Sequence, residues 1–432
     1  MDNEYFLNQM KEMLKDDYDK FVASFASPMY KSLRVNNLKG TEEIIRNEIE
    51  IGERTPFDEN TYYINDDAKL GKHPYHLGGL YYLQEPSATM AVNALDVQLG
   101  DKVLDMCAAP GGKSTQILSR LNNTGFLLSN EYEHKRAMTL LSNIERWGKD
   151  NYMLTNNSAD KVAWAFEGYF DRVLVDAPCS GSSMFKKYPA TINDYTEANV
   201  LACNKRQLQI LDEAYKTLKQ DGVLVYSTCT YNKIEDEEVV EQFLQKYPDM
   251  ELVDTGLSCG VKGYDPNGLT RRVFPFNGGE GHFAAKFVKH GYQESRKVKY
   301  LKFSNDKTVE QSIAENCTER FNYTILNNKV YVSKDNLIDT SLNIIRSGVL
   351  MGEIVKGRIE PAHHFFVAYN QFKKICNITD PEMMNKFLTG LSLPIDGYKG
   401  YVQIRYNDIP VGFGKGDGSQ IKNHFPKGLR IV

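Results

Sequence analysis

Four side chains of chemically useful type stand where apolar runs give way to turns: Lys113, Asp176, Cys179 and Cys229. In DKVLDMCAAPGGKS (101–114) an apolar run through Val103 and Leu104 leads into Asp105. A small-residue turn closes with Pro110, Gly111 and Gly112, and Ile117 and Leu118 then take up a helical period. Such a strand–turn–helix unit presents free backbone N–H groups to a ligand, and glycines let the chain approach it closely because no Cβ intervenes. Asp176-Ala177-Pro178-Cys179-Ser180-Gly181 ends a later apolar run, and Ser227-Thr228-Cys229-Thr230 ends the next. Two cysteines therefore fall at the ends of neighbouring strands beside the glycine turn.

Three ligands compete for that turn. A dinucleotide fingerprint needs G-x-G-x-x-G, and the matching spots hold Ala and Pro. A phosphate loop needs G-x-x-x-x-G-K-[ST]; Gly112-Lys113-Ser114 supplies its second half, but Cys107 stands at its first glycine. The third reading is a nucleoside cofactor held in a class I methyltransferase by an acidic strand end and a small-residue loop. Glu131, ending the next strand, is placed to accept hydrogen bonds from both ribose hydroxyls. Asp176 in LVD would be a Walker-B-like acid under the phosphate-loop reading, but Pro-Cys after it has no part in holding magnesium.

The elements that must position these residues alternate. Strand-like runs at 125–131, 152–157, 170–178, 222–229 and 282–289 are separated by helical stretches, the longest from about Tyr195 to Leu218 and an acidic one from about Glu235. That alternation predicts an α/β fold, a doubly wound Rossmann-like sheet with its ligands beyond the carboxyl ends of the strands. VFPF (273–276) is expected to add a strand. Before it, residues 5–25 and 41–52 read as helices and Ser32–Asn36 as a strand, a small α+β module whose Lys31 and Arg34 are candidates to meet RNA backbone. Asp66, Asp67, Gly71, Pro74, Gly78 and Gly79 mark a boundary. The expected division is 1–75, 76–290, an intermediate region 291–353, and a β-rich module 354–432 with a helix around 380–391 and a hairpin in YVQIRYNDIPVGFGK.

Composition sets outer limits. The chain has 432 residues, 41% apolar and 25% charged, with a net charge of −4, ordinary values for a globular protein of several domains. Mean hydropathy is −0.46 and no apolar run approaches the roughly 18 residues of a membrane span. MDNEYFLNQM lacks the charged start and apolar core of a signal peptide, so a cytoplasmic protein is expected. Seven cysteines without a C-x-x-C pair suggest neither a zinc ribbon nor a disulfide scaffold; Cys203, Cys259, Cys317 and Cys376 read as small buried hydrophobes. His73, His76, His363 and His364 read as structural rather than as metal ligands. Charge is uneven: residues 291–432 carry 20 Lys+Arg against 14 Asp+Glu, and residues 1–290 carry 32 against 42. A mildly basic final third points weakly to a polyanion.

CAAPGGK, DAPCSG and STCT, in this order, resemble the Nol/Nop/Sun family of RNA cytosine-5 methyltransferases over about 80–290. YYLQEPSA (81–88) and FPFNGGEGHFAAKF (274–287) are similar to that family's flanking motifs, and GFGKGDGSQIKNHFPKGLR resembles the PUA-like module of its RsmF branch. The resemblance implies S-adenosylmethionine as cofactor and small-subunit (16S) ribosomal RNA as partner, with 5-methylcytosine as product and neither metal nor membrane; a monomer is expected. It implies Cys229 as the nucleophile, which adds to cytosine carbon 6 so that carbon 5 becomes nucleophilic. It implies Asp176 as the group that hydrogen-bonds the base, Lys113 as its orienting partner, and Cys179 as the residue that assists loss of the carbon-5 proton and release of Cys229. DNA cytosine-5 methyltransferases use the Pro-Cys cysteine instead, which would promote Cys179. The cofactor set implied is Cys107, Ala108, Ala109, Pro110, Gly111, Gly112, Lys113, Glu131 and Asp176. The family's third-turn Asp falls on Ser158 here, with Asn157 and Asp160 beside it. Lys186-Lys187 stand for an Arg-Lys pair, and Glu235 and Glu237 match an acidic pair read as capping the next helix. Tyr81 and Tyr82 are candidates to stack a splayed base; Lys415, Lys422, Lys427 and Arg430 are candidates for phosphate contact.

Overall fold

The computed structural model describes residues 3–65 and 69–431; Asp66 and Asp67, part of the expected boundary, lie outside the described residues. The strands that carry the chemistry are β1 (Lys102–Asp105), β2 (Phe126–Asn130), β3 (Tyr152–Thr155), β4 (Phe170–Asp176), β5 (Leu218–Thr228) and β6 (His282–Lys289). Their apolar runs are buried on both faces: Val103, Leu104, Leu127, Leu128, Val173, Leu174, Leu224 and Val225 are all 0% exposed, as parallel strands covered by helices on both sides require. β5–β4–β1–β2–β3 pair in that order and in parallel, and β6 closes the β5 side antiparallel. Successive strands therefore step outward from β1 in one direction and, from β4, in the other. The reversal between β1 and β4 opens the crevice at their carboxyl ends where doubly wound sheets bind ligands.

The covering helices are α1 (Gly112–Leu121), α2 (His134–Trp147), α3 (Ala159–Ala165), α4 (Glu197–Thr217) and α5 (Glu237–Lys246). VFPF departs from the expectation: only Arg271–Val273 is strand, and Pro275–Asn277 is a 3₁₀ turn, because proline removes a ladder donor.

The N-terminal module holds a three-stranded sheet in which Ser32–Val35 pairs with Thr61–Tyr63 and with Tyr81–Gln84. Tyr81 and Tyr82 are 0% and 7% exposed, so both are core residues and not base-stacking platforms. Arg34 is likewise no RNA contact. It is 1% exposed and runs under α1, donating to the Gly112 carbonyl at 2.9 Å and to Thr115 Oγ1 at 2.7 Å. Its guanidinium lies over Trp147, 4.8 Å from the ring centroid, a well-suited partner for a planar cation.

After β6 the structure is more regular than the sequence suggested. Helix Lys307–Asn316 packs with a four-stranded sheet of Tyr323–Leu326, Lys329–Val332, Val349–Val355 and Arg358–Pro361. The boundary expected at 353/354 thus falls inside a strand. A further strand, β7 (Ile344–Ser347), adds antiparallel to β3 and extends the central sheet. The last sheet carries the anticipated hairpin, Lys399–Tyr406 with Ile409–Asp417, whose turn residues Asn407 and Asp408 both have positive φ, the backbone a tight hairpin demands. Among the described residues no helix is long and apolar enough to cross a membrane.

Lys39 binds the modules together. Its buried ammonium donates to the carbonyls of Gly78 (2.7 Å), Arg146 (3.1 Å) and Val367 (3.1 Å), one in the N-terminal module, one in the last turn of α2 and one in the last turn of helix His363–Ala368. Burial pushes its pKa down, as do Lys149 and Arg146, while carbonyls at helix C-termini favour a cation. Lys39→Ala leaves three carbonyls without this donor and is expected to cost about 3 kcal/mol, read as a fall of several degrees in the thermal midpoint of the full chain; a midpoint within one degree of wild type would refute the clasp.

Candidate active site between the carboxyl ends of β1, β4 and β5

Asp176 ends β4 and Lys113 lies in the first turn of α1, which starts directly after the glycine turn. Across the crevice Lys113 Nζ meets Asp176 Oδ2 at 2.7 Å. Ser227 Oγ, from β5, donates to Asp176 Oδ1 at 2.8 Å. Burial would raise the Asp176 pKa, but Lys113, His282 and the hydrogen bonds from Lys113 and Ser227 outweigh it and hold the carboxyl below its ordinary value. Burial likewise works against the Lys113 ammonium, and Asp176 more than offsets it. The pair is therefore ionised at neutral pH.

Cys179 lies in the loop after β4 and Cys229 just past β5, and their sulfurs are 3.3 Å apart. One hydrogen can serve both. Sharing it with Cys229 pushes the Cys179 thiol well up, and burial and Glu235 add to this. The same bond pulls Cys229 down; burial and Asp176 oppose that, while Lys113 and a hydrogen bond from Ser183 support it. The shared hydrogen thus favours the anionic form on Cys229 over Cys179, and the thiolate is the reactive form of a cysteine.

The β1 side of the crevice is built for a ligand. Asp105 is 0% exposed; its Oδ2 accepts from Ser114 Oγ at 2.7 Å, while its Oδ1 has no partner. Burial lifts the Asp105 pKa to about 7, with Ser114 opposing. Gly111 has φ +115° and leads into α1 without a side-chain cap, so the first N–H groups of that helix keep donor capacity. Pro110 and Gly112 complete the turn. Glu131, just past β2, is 3% exposed and accepts from the backbone N–H of Ala109 (3.4 Å) and Glu133 (3.0 Å). Ala108 donates to the Asn130 carbonyl at 2.9 Å, tying the turn to β2. Cys107 is half-buried, and burial together with Asp105, Glu131 and Asp176 pushes its thiol well up. At the end of β3, Asn157 turns both polar atoms toward the segment just before β7: Oδ1 accepts from Asn343 N at 3.2 Å and Nδ2 donates to the Asn343 carbonyl at 3.3 Å. Asp160 is exposed, and Ser158 stands at the N-cap of α3 with its side chain hydrogen-bonded to Asp160.

Residues 92–288 match the family "16S rRNA methyltransferase RsmB/F", 3–86 the N-terminal domain of 16S rRNA methyltransferase RsmF, 308–368 its first C-terminal domain and 378–431 its PUA domain. The ribosomal RNA small subunit methyltransferase F of Vibrio vulnificus is 30% identical over 99% of this chain and 97% of its own. The chain belongs to the RsmF family. The enzyme of the same name from Shewanella amazonensis is 28% identical over 99% and 98% of the two chains. Among solved structures, a methyltransferase homologue from Pyrococcus horikoshii is 26% identical with a TM-score of 0.59, covering 67% of this chain and 95% of its own. NSun6 from the same organism, solved with SFG, is 21% identical with a TM-score of 0.60 over 67% and 98%, and shares the fold.

Several residues of this RsmF-family crevice carried no readable signal. His282, on β6, is 3% exposed, and its Nε2 lies 3.7 Å from Asp176 Oδ1; burial and Lys113 push its pKa down to about 3, so it is neutral. Glu235 and Glu237 do not cap a helix. α5 begins without a capping side-chain bond; Glu237 pairs with buried Arg272, and Glu235 turns back to the Cys179 loop. Arg272 also donates to the Tyr231 carbonyl at 2.7 Å, fixing the segment after Cys229. Lys186 is not free for phosphate, since it is held by Glu280 Oε1 at 3.2 Å and the Pro28 carbonyl at 3.2 Å. Arg430 packs beside Gly390 and donates to the Phe425 carbonyl, whereas Lys415, Lys422 and Lys427 are exposed.

With iodoacetamide near pH 7.5, Cys229 is expected to be alkylated faster than Cys179, because its thiol is held down while that of Cys179 is pushed up. Lys113→Met leaves Asp176 uncompensated beside Cys229 and should slow that reaction. Peptide mass spectrometry reads both, and alkylation of Cys179 first would reverse the assignment.

Proposed function

We propose that this RsmF-family protein transfers a methyl group from S-adenosylmethionine to carbon 5 of a cytosine in small-subunit ribosomal RNA, through a covalent Cys229 adduct resolved with help from Cys179. The observation that carries this reading is the cysteine pair, sulfurs 3.3 Å apart, beside the Lys113–Asp176 ion pair. Carbon 5 of cytosine is too weak a nucleophile to take a methyl group unaided. Addition of the Cys229 thiolate to carbon 6 forms an S–C bond and pushes the ring's electron pair onto carbon 5. Asp176, ionised in the free enzyme, accepts from the exocyclic amino group, and the proton it shares with Lys113 meets the charge that develops on the ring. Cys179, having passed its own proton to the ring as the adduct formed, can then take up the carbon-5 proton, and β-elimination frees Cys229.

S-adenosylmethionine, when bound, supplies the electrophilic methyl group. The residues present fit it: the unpartnered Asp105 Oδ1 is a buried acceptor for its amino group, the backbone of Cys107, Ala108, Ala109, Pro110, Gly111, Gly112 and Lys113 lines its path, Glu131 takes the ribose hydroxyls and Ser158 the adenine side. SFG, an S-adenosylmethionine analogue, occupies the NSun6 structure that shares this fold.

The rival is an ATP-binding phosphate loop on the same turn, favoured only by Gly112-Lys113-Ser114. S-adenosylhomocysteine is expected to raise the thermal midpoint, and ATP is not. The Asp105 carboxyl, neutral below about pH 7 and charged above it, should make that stabilisation grow from pH 6 to 8, and Asp105→Asn should flatten it. Stabilisation by ATP alone would favour the rival, and a pH-independent wild type would remove Asp105 from the cofactor set.

After incubation with ribosomal RNA and S-adenosylmethionine, Cys179→Ala is expected to give a slow-migrating covalent RNA–protein band on denaturing electrophoresis, and Cys229→Ser none. A band only when Cys229 is removed would hand the nucleophile role to Cys179.

A further inference from the structure

Glu235 is a buried carboxylate, 0% exposed, placed between the two cysteine loops. Its Oε2 accepts from Ser180 N and from Gln207 Nε2, each at 2.9 Å. Its Oε1 accepts from Ser180 Oγ and, at 2.7 Å, from Asn232 Nδ2. All four donors are uncharged. Ser180 follows Cys179 directly, Asn232 lies three residues past Cys229, and Gln207 belongs to α4. Gln207 Nε2 also donates to the Pro178 carbonyl at 3.1 Å, so both neighbours of Cys179 are pinned. The Glu235 backbone is fixed in turn: its N–H donates to Asn232 Oδ1 at 2.8 Å, and its carbonyl accepts from Tyr226 OH at 2.5 Å. Burying a carboxylate is costly unless its lone pairs are taken up, and here they are taken up by the two loops whose separation matters.

We propose that Glu235 is the positioning residue of the cysteine pair: its carboxylate holds the Cys179 loop against the Cys229 loop and so sets the contact between the sulfurs on which adduct release depends. The statement about release rests on the proposed function; the statement about the contact does not. A carboxylate is required because only it offers acceptors alone. An amide in its place turns an N–H toward donors on one side, so that either Asn232 Nδ2 or the pair Ser180 N and Gln207 Nε2 loses its acceptor. The same negative charge opposes loss of the Cys179 proton.

The test uses the full-length protein with Glu235→Gln and two readouts. Phenylarsine oxide bridges two thiols whose sulfurs lie in contact, forming two As–S bonds and releasing water, and so gauges the pair without RNA or cofactor. Wild type is expected to bind it in a Cys179-dependent way, with Cys179→Ala as the baseline, and Glu235→Gln to bind about tenfold more weakly. Under methylation conditions Glu235→Gln should accumulate the covalent RNA band at an unchanged affinity for S-adenosylhomocysteine, a partition that general loss of stability would not produce. Wild-type arsenical binding in Glu235→Gln would overturn the proposal. Weakened binding with no band from any variant, Cys179→Ala included, would leave the positioning role standing and refute the covalent reading instead. Should Glu235→Gln melt early, Asn232→Ala and Ser180→Ala each delete one donor; both are expected to weaken arsenical binding, and wild-type binding in both would likewise refute the proposal.

Discussion

The Lys113–Asp176 ion pair is the contact on which the rest of the crevice depends. It joins the two halves of the sheet across the reversal between β1 and β4: Lys113 comes from the helix after the glycine turn, Asp176 from the strand that leads to Cys179. Two half-buried charges at 2.7 Å recover their desolvation cost only if further hydrogen bonds complete the shell, and Ser227 provides one from the strand that leads to Cys229. One interaction thus fixes the ligand turn, the acid and both cysteine-bearing strand ends relative to one another. The positive charge also has a chemical consequence, since it stands close enough to favour a thiolate at Cys229.

The surrounding modules serve this arrangement mechanically. Arg34 enters from the N-terminal sheet and holds the first turn of α1 through the Gly112 carbonyl and Thr115, so the glycine turn is supported from beneath by a residue outside the methyltransferase domain. On the far edge, β7 completes β3 and brings Asn343 onto Asn156 and Asn157. The turn where the family's Asp is absent is braced by a segment from beyond the domain. The expectation of an N-terminal RNA contact at Arg34 failed for this reason: burial pulls its pKa down to about 10, and it is anchored in an aromatic and carbonyl cage that sequence spacing does not reveal.

What could be read without coordinates was whatever is local. The α/β alternation was legible because parallel strands are short apolar runs between amphipathic helices, and the strand ends were legible because Gly, Pro and Ser cluster there. The chemical types were legible because the two cysteines, Asp176 and Lys113 sit in short motifs at those ends. What failed was long-range. Glu235 is acidic and stands before a helix, so capping was the natural reading, yet its partners lie 3, 28 and 55 residues away. Tyr81 and Tyr82 alternate like any strand pair, and both are buried because Tyr82 packs in the core that holds α1 while Tyr81 packs in the core shared by the N-terminal module and the last sheet. Residues 291–353 were opaque because most of their strands run only two to four residues, and one of them completes a sheet that belongs to another domain.

The choice between the two cysteines turns on asymmetry rather than on distance, since each is equally near the other. Cys229 has the cation on its side of the pair: Lys113 favours its thiolate, opposed by Asp176, whose own charge Lys113 already compensates. Cys179 has the opposite surroundings, with Glu235 as a neighbouring anion bound by neutral donors that do not cancel it. The shared proton is therefore drawn toward Cys179, and the sulfur that holds its proton more tightly is the poorer nucleophile. The surroundings that make the two sulfurs unequal are held in place by Arg272 and Glu237 on one side and by Glu235 and Gln207 on the other.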